Sequence, residues 1–153
     1  MKNKSNWNKR FVKLVKHVSK WSKDPNRKTA AIIVDDENTV KSIGYNGLPN
    51  NIKTKLSSRY DKPKKYFWVE HAERNAIYKA TKNGISVDKC TMYVNYYPCV
   101  DCARAIIQSG IKKLYTPKPD FKHEKWGESW KVSKTMLKES KIKVKFIKKK
   151  YVH

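Results

Sequence analysis

From residue 71 to residue 146 the chain alternates between helical and extended patterning, and this alternation limits the folds open to it. Residues 71–82 and Val100 to Gly110 carry apolar residues at helical spacing, whereas Thr91 to Asn95 and Lys113 to Thr116 are short, strand-like runs. A third amphipathic stretch, 127–140, contains Trp130, Met136 and Leu137. It leads into Ile142-Lys143-Val144-Lys145-Phe146, whose strict alternation predicts a last strand with one buried face. Strands alternating with helices of this length predict an α/β fold, a sheet covered on both faces.

The first half supplies the remaining elements. Phe11, Val12, Leu14, Val15 and Val18 predict an amphipathic helix over 5–22, stopped by Asp24-Pro25. Ala30 to Val34, the acidic turn 35–38 and Val40 to Tyr45 predict a hairpin. Its second strand enters the turn-rich stretch Gly44-Tyr45-Asn46-Gly47-Leu48-Pro49-Asn50-Asn51. Residues 52–66 form a polar excursion, and Lys148 to Lys150 a frayed end. A length of 153 residues encloses one hydrophobic core, so a single domain over 1–153 is expected.

Charge bears on what such a domain binds. Thirty-one Lys and five Arg against 13 acidic residues give a net charge of +23, a field that attracts polyanions. The excess is Lys spread from end to end, however, and Arg, with its bidentate fork, is the residue usually recruited for phosphate recognition in grooves. Charge therefore leaves both a polynucleotide and a small anionic substrate open, the polynucleotide being the weaker reading. No run of about 18 apolar residues occurs, and MKNKSNWNKR has no apolar stretch after its charges. A soluble, cytoplasmic protein without membrane contact is expected.

Two segments carry chemistry: His71-Ala72-Glu73 and Pro98-Cys99-Val100-Asp101-Cys102. Each opens a predicted helix, where unpaired N–H groups and the helix dipole favour thiolate over thiol at Cys99 and Cys102. Cysteines three apart in a first helical turn can direct both sulfurs at one zinc ion, with an imidazole as third ligand. Three protein ligands leave the fourth position to water, the mark of a catalytic rather than a structural zinc site. Zinc lowers the pKa of a bound water toward about 7, so Glu73, two residues from His71, is placed to take its proton.

Plainer readings exist for each half. A lone C-x-x-C is also a redox pair or half a zinc knuckle, and H-x-E arises by chance. A redox pair has no use for His71 and Glu73, and a knuckle wants two further ligands. Both halves together, with Cys99 26 residues after Glu73, favour a catalytic Zn2+ site. Cys90, entering an apolar strand, reads as a small buried hydrophobe. His17, His123 and His153 stand alone.

Over roughly residues 7–147 the chain resembles the cytidine and deoxycytidylate deaminase family. Besides the metal segments, the resemblance rests on Ser22-Lys23-Asp24-Pro25-Asn26, on Gly44 to Pro49, on His71-Ala72-Glu73-Arg74-Asn75-Ala76-Ile77 and on Ala105 to Ile111. The Gly-Tyr-Asn-Gly-x-Pro loop is similar to that of the deoxycytidylate branch. The resemblance implies a three-layer α/β/α fold with a five-stranded mixed sheet. It also implies zinc-dependent hydrolytic deamination of a cytosine nucleotide, dCMP to dUMP and ammonia first among them. CMP, 5-modified dCMP, dCTP and an RNA or tRNA base stay open as alternatives. It further implies that Asn46 helps hold sugar and base, and that Asn95, Tyr96 and Tyr97 wall the base pocket. A homo-oligomer, hexamer or dimer, with dCTP and dTTP as effectors, belongs to the same expectation.

The chain departs from that family after the fourth strand. Where a Tyr-His-Asp segment is usual, it has Pro119-Asp120-Phe121-Lys122-His123-Glu124-Lys125-Trp126-Gly127-Glu128-Ser129-Trp130. Trp126 and Trp130, four apart, read first as a helix face packed on the sheet and second as base-stacking groups. For a phosphate, Lys23, Arg27, Lys28, Lys122 and Lys125 are the residues in range, each with a solvated surface as its plain reading.

Overall fold

The computed structural model describes residues 2–53, 55 and 57–152. Met1 and His153, the ends of the expected domain, and Thr54 and Leu56 in the polar excursion lie outside the described residues. Helix α1 spans Lys2–Ser19 and ends short of the expected residue 22, because Trp21 and Ser22 turn back to bond the carbonyls of Val18 and Ser19. The hairpin is β1 (Ala30–Val34) and β2 (Val40–Tyr45). The polar excursion holds a 3-10 turn, Ser57–Tyr60, and the single-turn helix α2, Lys65–Trp68. Then follow α3 (Ala72–Lys82), β3 (Thr91–Val94), α4 (Val100–Gln108), β4 (Lys113–Pro117), α5 (Gly127–Glu139) and β5 (Lys143–Ile147).

The five strands form one mixed sheet in the order β2-β1-β3-β4-β5. β1 is antiparallel to both β2 and β3, and β3, β4 and β5 run parallel. Strand alternation sorts the core into two layers. Ala31, Ile33, Met92, Val94 and Leu114 pack beneath α3, α4 and α5, with Ala72, Ala76, Ala103, Ile106, Trp130 and Leu137. Ala30, Ile32, Val34 and Tyr93 face α1, through Phe11, Val12, Val15 and Val18. The result is the expected three-layer α/β/α arrangement, with burial of each Ile, Val or Leu worth about 1.5–3 kcal/mol. Among the described residues no helix is long and apolar enough to cross a membrane.

Two sequence expectations need correction at the C-terminal end. The expected buried face of the last strand holds only at its start: Ile142 is in the core and Val144 packs partly against it, whereas Phe146 on this edge strand is 57% exposed. The tail is not frayed. Lys149–Tyr151 form a 3-10 turn that delivers Val152 into the core beneath α1, beside Phe11 and Val15.

Two local features position the cavity described below. Gly44 in β2 lies so close to α3 that a Cβ there would stand 2.2 Å from the Ala72 carbonyl oxygen and 2.4 Å from the Ala76 nitrogen. The absent side chain lets the start of α3 rest directly on the hairpin, where Ser42 Oγ donates to Ala76 O and Asn75 Nδ2 to Tyr45 O. The second feature is a buried ion pair, Lys65 Nζ to Asp24 Oδ2 at 2.5 Å. Asp24 also accepts the backbone N–H of Asn26 and the side-chain amide of Asn46. One carboxylate thus ties the segment after α1 to the loop after β2 and to α2.

Substituting Gly44→Ala is expected to lower stability by at least about 1–3 kcal/mol, since backbone must move to admit the methyl group; urea denaturation of the purified protein measures it. Burial alone would raise the Asp24 carboxyl, but Lys65 and the N–H groups of Asn26 and Arg27 bring it below its ordinary 3.8. Its stabilisation is therefore complete above pH 3.8 and is lost as pH falls through the lower folded value. Asp24→Asn, which leaves Lys65 buried without its partner, should cost about 3–5 kcal/mol at pH 7. The gap to the wild type should shrink on acidification below that window, and a gap independent of pH would contradict the assignment.

Candidate active site

The two chemistry-bearing segments meet on the helical face of the sheet. His71 and Cys99 occupy the positions just before α3 and α4, in extended backbone (φ −77°, ψ 152° and φ −71°, ψ 175°). Their side chains project from the helix starts, and Cys102 follows within the first turn of α4. His71 Nδ1 lies 3.5 Å from Cys99 Sγ and 3.5 Å from Cys102 Sγ, and the three donor atoms all fall within 4.8 Å of one another. A tetrahedral zinc with arms of about 2.0–2.1 Å to nitrogen and about 2.3 Å to sulfur requires a nitrogen–sulfur edge of about 3.5 Å. The trio therefore fits zinc in both geometry and donor chemistry.

The sulfurs are electronically prepared for a cation. A hydrogen bond from Cys102, with His71 beside it, outweighs burial and pulls the Cys99 thiol down to about 4. That same bond and burial push Cys102 up, so the pair shares one proton that a divalent ion would displace. Arg74 joins the two helix starts: its guanidinium pairs with Glu70 at 2.5 Å and approaches Asp101 at 3.7 Å. Glu70 in turn accepts the His71 N–H at 2.8 Å. Ser129 Oγ accepts the Val100 N–H, and Trp130 Nε1 donates to Tyr97 O, so α5 braces the start of α4.

Glu73 is buried beside the trio without belonging to it. Burial raises its carboxyl above the ordinary range, partly opposed by His71. Among the described residues no fourth Cys, His or carboxylate completes the cluster, and Cys90 lies apart in the core.

The cluster opens into a cavity of about 220 Å³ lined by His71, Glu73 and Cys99 together with Asp24, Asn46, Tyr96, Tyr97 and others. Asn46 reaches it, but its side chain is committed to the protein. Oδ1 accepts the Thr29 N–H, and Nδ2 donates to Asp24 and to the Arg27 carbonyl. An isolated antiparallel bridge sets this loop beside the metal segment, Gly47 and Glu70 exchanging two backbone hydrogen bonds. Tyr96 and Tyr97 both line the cavity with different ring partners, Arg27 over the first and Phe121 against the second. Asn95 is placed elsewhere: it is buried behind the wall, accepting the Ala30 N–H and donating to Lys28 O.

Several lining residues were ambiguous or unmarked in the sequence. Trp126 and Trp130, read first as packing, both line the cavity, with rings stacked at 6.5 Å and Trp126 6.3 Å from the His71 ring. Lys62, Lys65 and Tyr66 come from the polar excursion, whose one-turn helix is too short to show a period. His123 also lines the cavity and shapes its rim, its Nδ1 accepting the N–H groups of Lys125 and Trp126.

The chain is similar to known proteins. Residues 5–117 match the profile of the cytidine and deoxycytidylate deaminase zinc-binding region. An uncharacterized deaminase of Aliivibrio fischeri is 35% identical over 145 residues, covering 94% of this chain and 95% of that protein. Human deoxycytidylate deaminase is 40% identical over 113 residues, 71% of this chain and 62% of that protein, so the chain spans less than two thirds of the human relative. The dCMP deaminase of cyanophage S-TIM5, solved in complex with dCMP and dUMP, superposes with a TM-score of 0.73 at 25% identity, covering 92% of this chain and 96% of that one. With its profile match, its relatives and its three-donor zinc cluster in agreement, the chain belongs to the cytidine and deoxycytidylate deaminase family.

Proposed function

We propose that this protein hydrolyses the 4-amino group of a cytosine nucleotide, dCMP before others, releasing dUMP and ammonia. The observation that carries the reading is the buried Glu73 carboxyl beside a three-donor cluster at the wall of the cavity. A structural zinc site has no use for such a carboxyl. The names of the human relative and the cyanophage structure support dCMP as the first substrate to try.

Zinc held by His71, Cys99 and Cys102 would supply Lewis acidity, lowering the pKa of water toward about 7. The protein's own groups do the rest. Glu73 takes one proton from the attacking water and gives it to ring N3 as oxygen bonds to C4. It then passes the second proton to the amino nitrogen, the C4–N bond breaks, and ammonia leaves. A carboxyl raised by burial is suited to hold that proton between the two transfers.

In this reading Tyr96, Tyr97, Trp126 and Trp130 enclose the base. Asn46 shapes the rim and keeps one carbonyl lone pair for the sugar, and Asn95 serves as framework. The family resemblance extends the proposal to a homo-oligomer controlled by dCTP and dTTP. Phe67 on α2, 89% exposed, is the kind of apolar surface that assembly would cover.

The zinc-loaded protein should release ammonia from dCMP. Glu73→Gln should retain zinc and fold while kcat falls by at least about 10²–10⁴-fold. Metal analysis, circular dichroism and a coupled ammonia assay measure the three quantities, and unchanged turnover would refute the role of Glu73.

A further inference from the structure

The start of α5 touches both segments that carry the zinc donors. Trp126, the residue just before the helix, sets its ring 6.3 Å from that of His71 at 62°, within the range of edge-to-face contact. One turn later the helix reaches the other segment twice. Ser129 Oγ accepts the Val100 N–H at 3.1 Å, and Trp130 Nε1 donates to the Tyr97 carbonyl at 3.1 Å. Two adjacent residues of α5 therefore hold the backbone on either side of Pro98-Cys99. The helix start is itself firmly seated. The Gly127 N–H donates to His123 O at 2.7 Å, and a Cβ on Gly127 would stand 2.5 Å from the Phe121 carbonyl oxygen.

The zinc donors leave α4 in need of this outside support. A helix start has N–H groups without intrahelical partners, and the residue before it usually supplies a side-chain oxygen to them. In α4 that residue is Cys99, whose side chain makes no such cap and lies 3.5 Å from His71 Nδ1 instead. Ser129 brings from a second helix the oxygen that the thiol does not offer. The bond from Trp130 is buried, the indole being 8% and Tyr97 6% exposed, so removing its N–H would leave a carbonyl unpaired away from water. Neither residue is a zinc donor, yet both fix the backbone from which Cys99 Sγ projects. Zinc sites accept donor distances only within about 0.2 Å of their ideal values, so a backbone shift of that order is enough to weaken the metal.

We propose that Ser129 and Trp130 are positioning residues of the metal centre: by gripping the backbone on both sides of Pro98-Cys99 they aim Cys99 Sγ at the zinc and so set its affinity. The inference goes beyond the proposed function, resting on the three-donor cluster and not on the substrate. It gives the segment in which this chain departs from its family a hold on the zinc site.

The test uses the full chain, zinc-loaded and zinc-free. Competition with a chromophoric chelator gives the zinc Kd, urea denaturation follows both forms in parallel, and ammonia release from dCMP is recorded alongside, because Trp130 also lines the cavity and turnover alone would not isolate its hold on the metal. Ser129→Ala should weaken zinc binding by about tenfold to a hundredfold. The stability gained on zinc loading should shrink with it. Ser129→Thr, which keeps the hydroxyl, should restore the affinity. Trp130→Phe, which deletes the N–H and keeps an aromatic ring, should weaken zinc by a similar factor; should it not fold, the Ser129 pair decides. Wild-type zinc affinity in Ser129→Ala would overturn the proposal, even with both forms less stable, since equal loss in the two forms is what packing alone produces. Failure of Ser129→Thr to restore affinity would overturn it as well. Zinc affinities that move as expected, without ammonia release by zinc-loaded wild type, would sink the deaminase reading and uphold the positioning role.

Discussion

Everything chemical in this molecule depends on two helix starts meeting over one face of the sheet. A helix start offers extended backbone, unpaired N–H groups and partial positive charge in one place. With His71 before α3 and Cys99 before α4, those features converge on the point where three donors stand 3.5 Å apart along the nitrogen–sulfur edges. The convergence is held from both sides. Gly44 admits α3 to the hairpin, Arg74 spans Glu70 and Asp101, and Ser129 and Trp130 pin the approach to α4.

The polar groups of the cavity divide into those that hold the protein and those left for a ligand. Asp24, Asn46 and Asn95 are buried, and their hydrogen bonds run mainly to backbone of the 22–30 segment, so they build walls. Glu73 lies beside the zinc donors instead, and Arg27, Lys62 and Lys125 line the cavity without a carboxylate ion-pair partner among the described residues. A net charge of +23 spread over the surface would steer any anion inward, but only cations without carboxylate partners can hold one in place.

The sequence made the metal site legible because its residues lie close together in the chain and at helix starts, where residue type and position reinforce each other. The order of helices and strands was legible for the same reason: α3, α4 and their flanking strands are long enough to show a period. What escaped was set by tertiary partners. α2 is a single turn without periodicity, so Lys65 and Tyr66 could not be placed. Trp126 and Trp130 obey helical spacing whether they face the sheet or the cavity, and they do both. Asn95, beside the Tyr pair in sequence, is turned to the backbone of the segment before β1. At the C-terminal end, Phe146 kept the alternation of a strand without the cover of a second layer.

The central claim is that the metal has three protein ligands and an open position watched by a carboxyl that does not bind it. X-ray absorption at the zinc edge of the purified protein tests this directly. The account predicts two sulfur scatterers at about 2.3 Å and two nitrogen or oxygen scatterers at about 2.0–2.2 Å, unchanged in Glu73→Gln. A shell that loses one light scatterer in that variant would make Glu73 a ligand, and a shell of four protein donors would make the site structural; either would contradict the account.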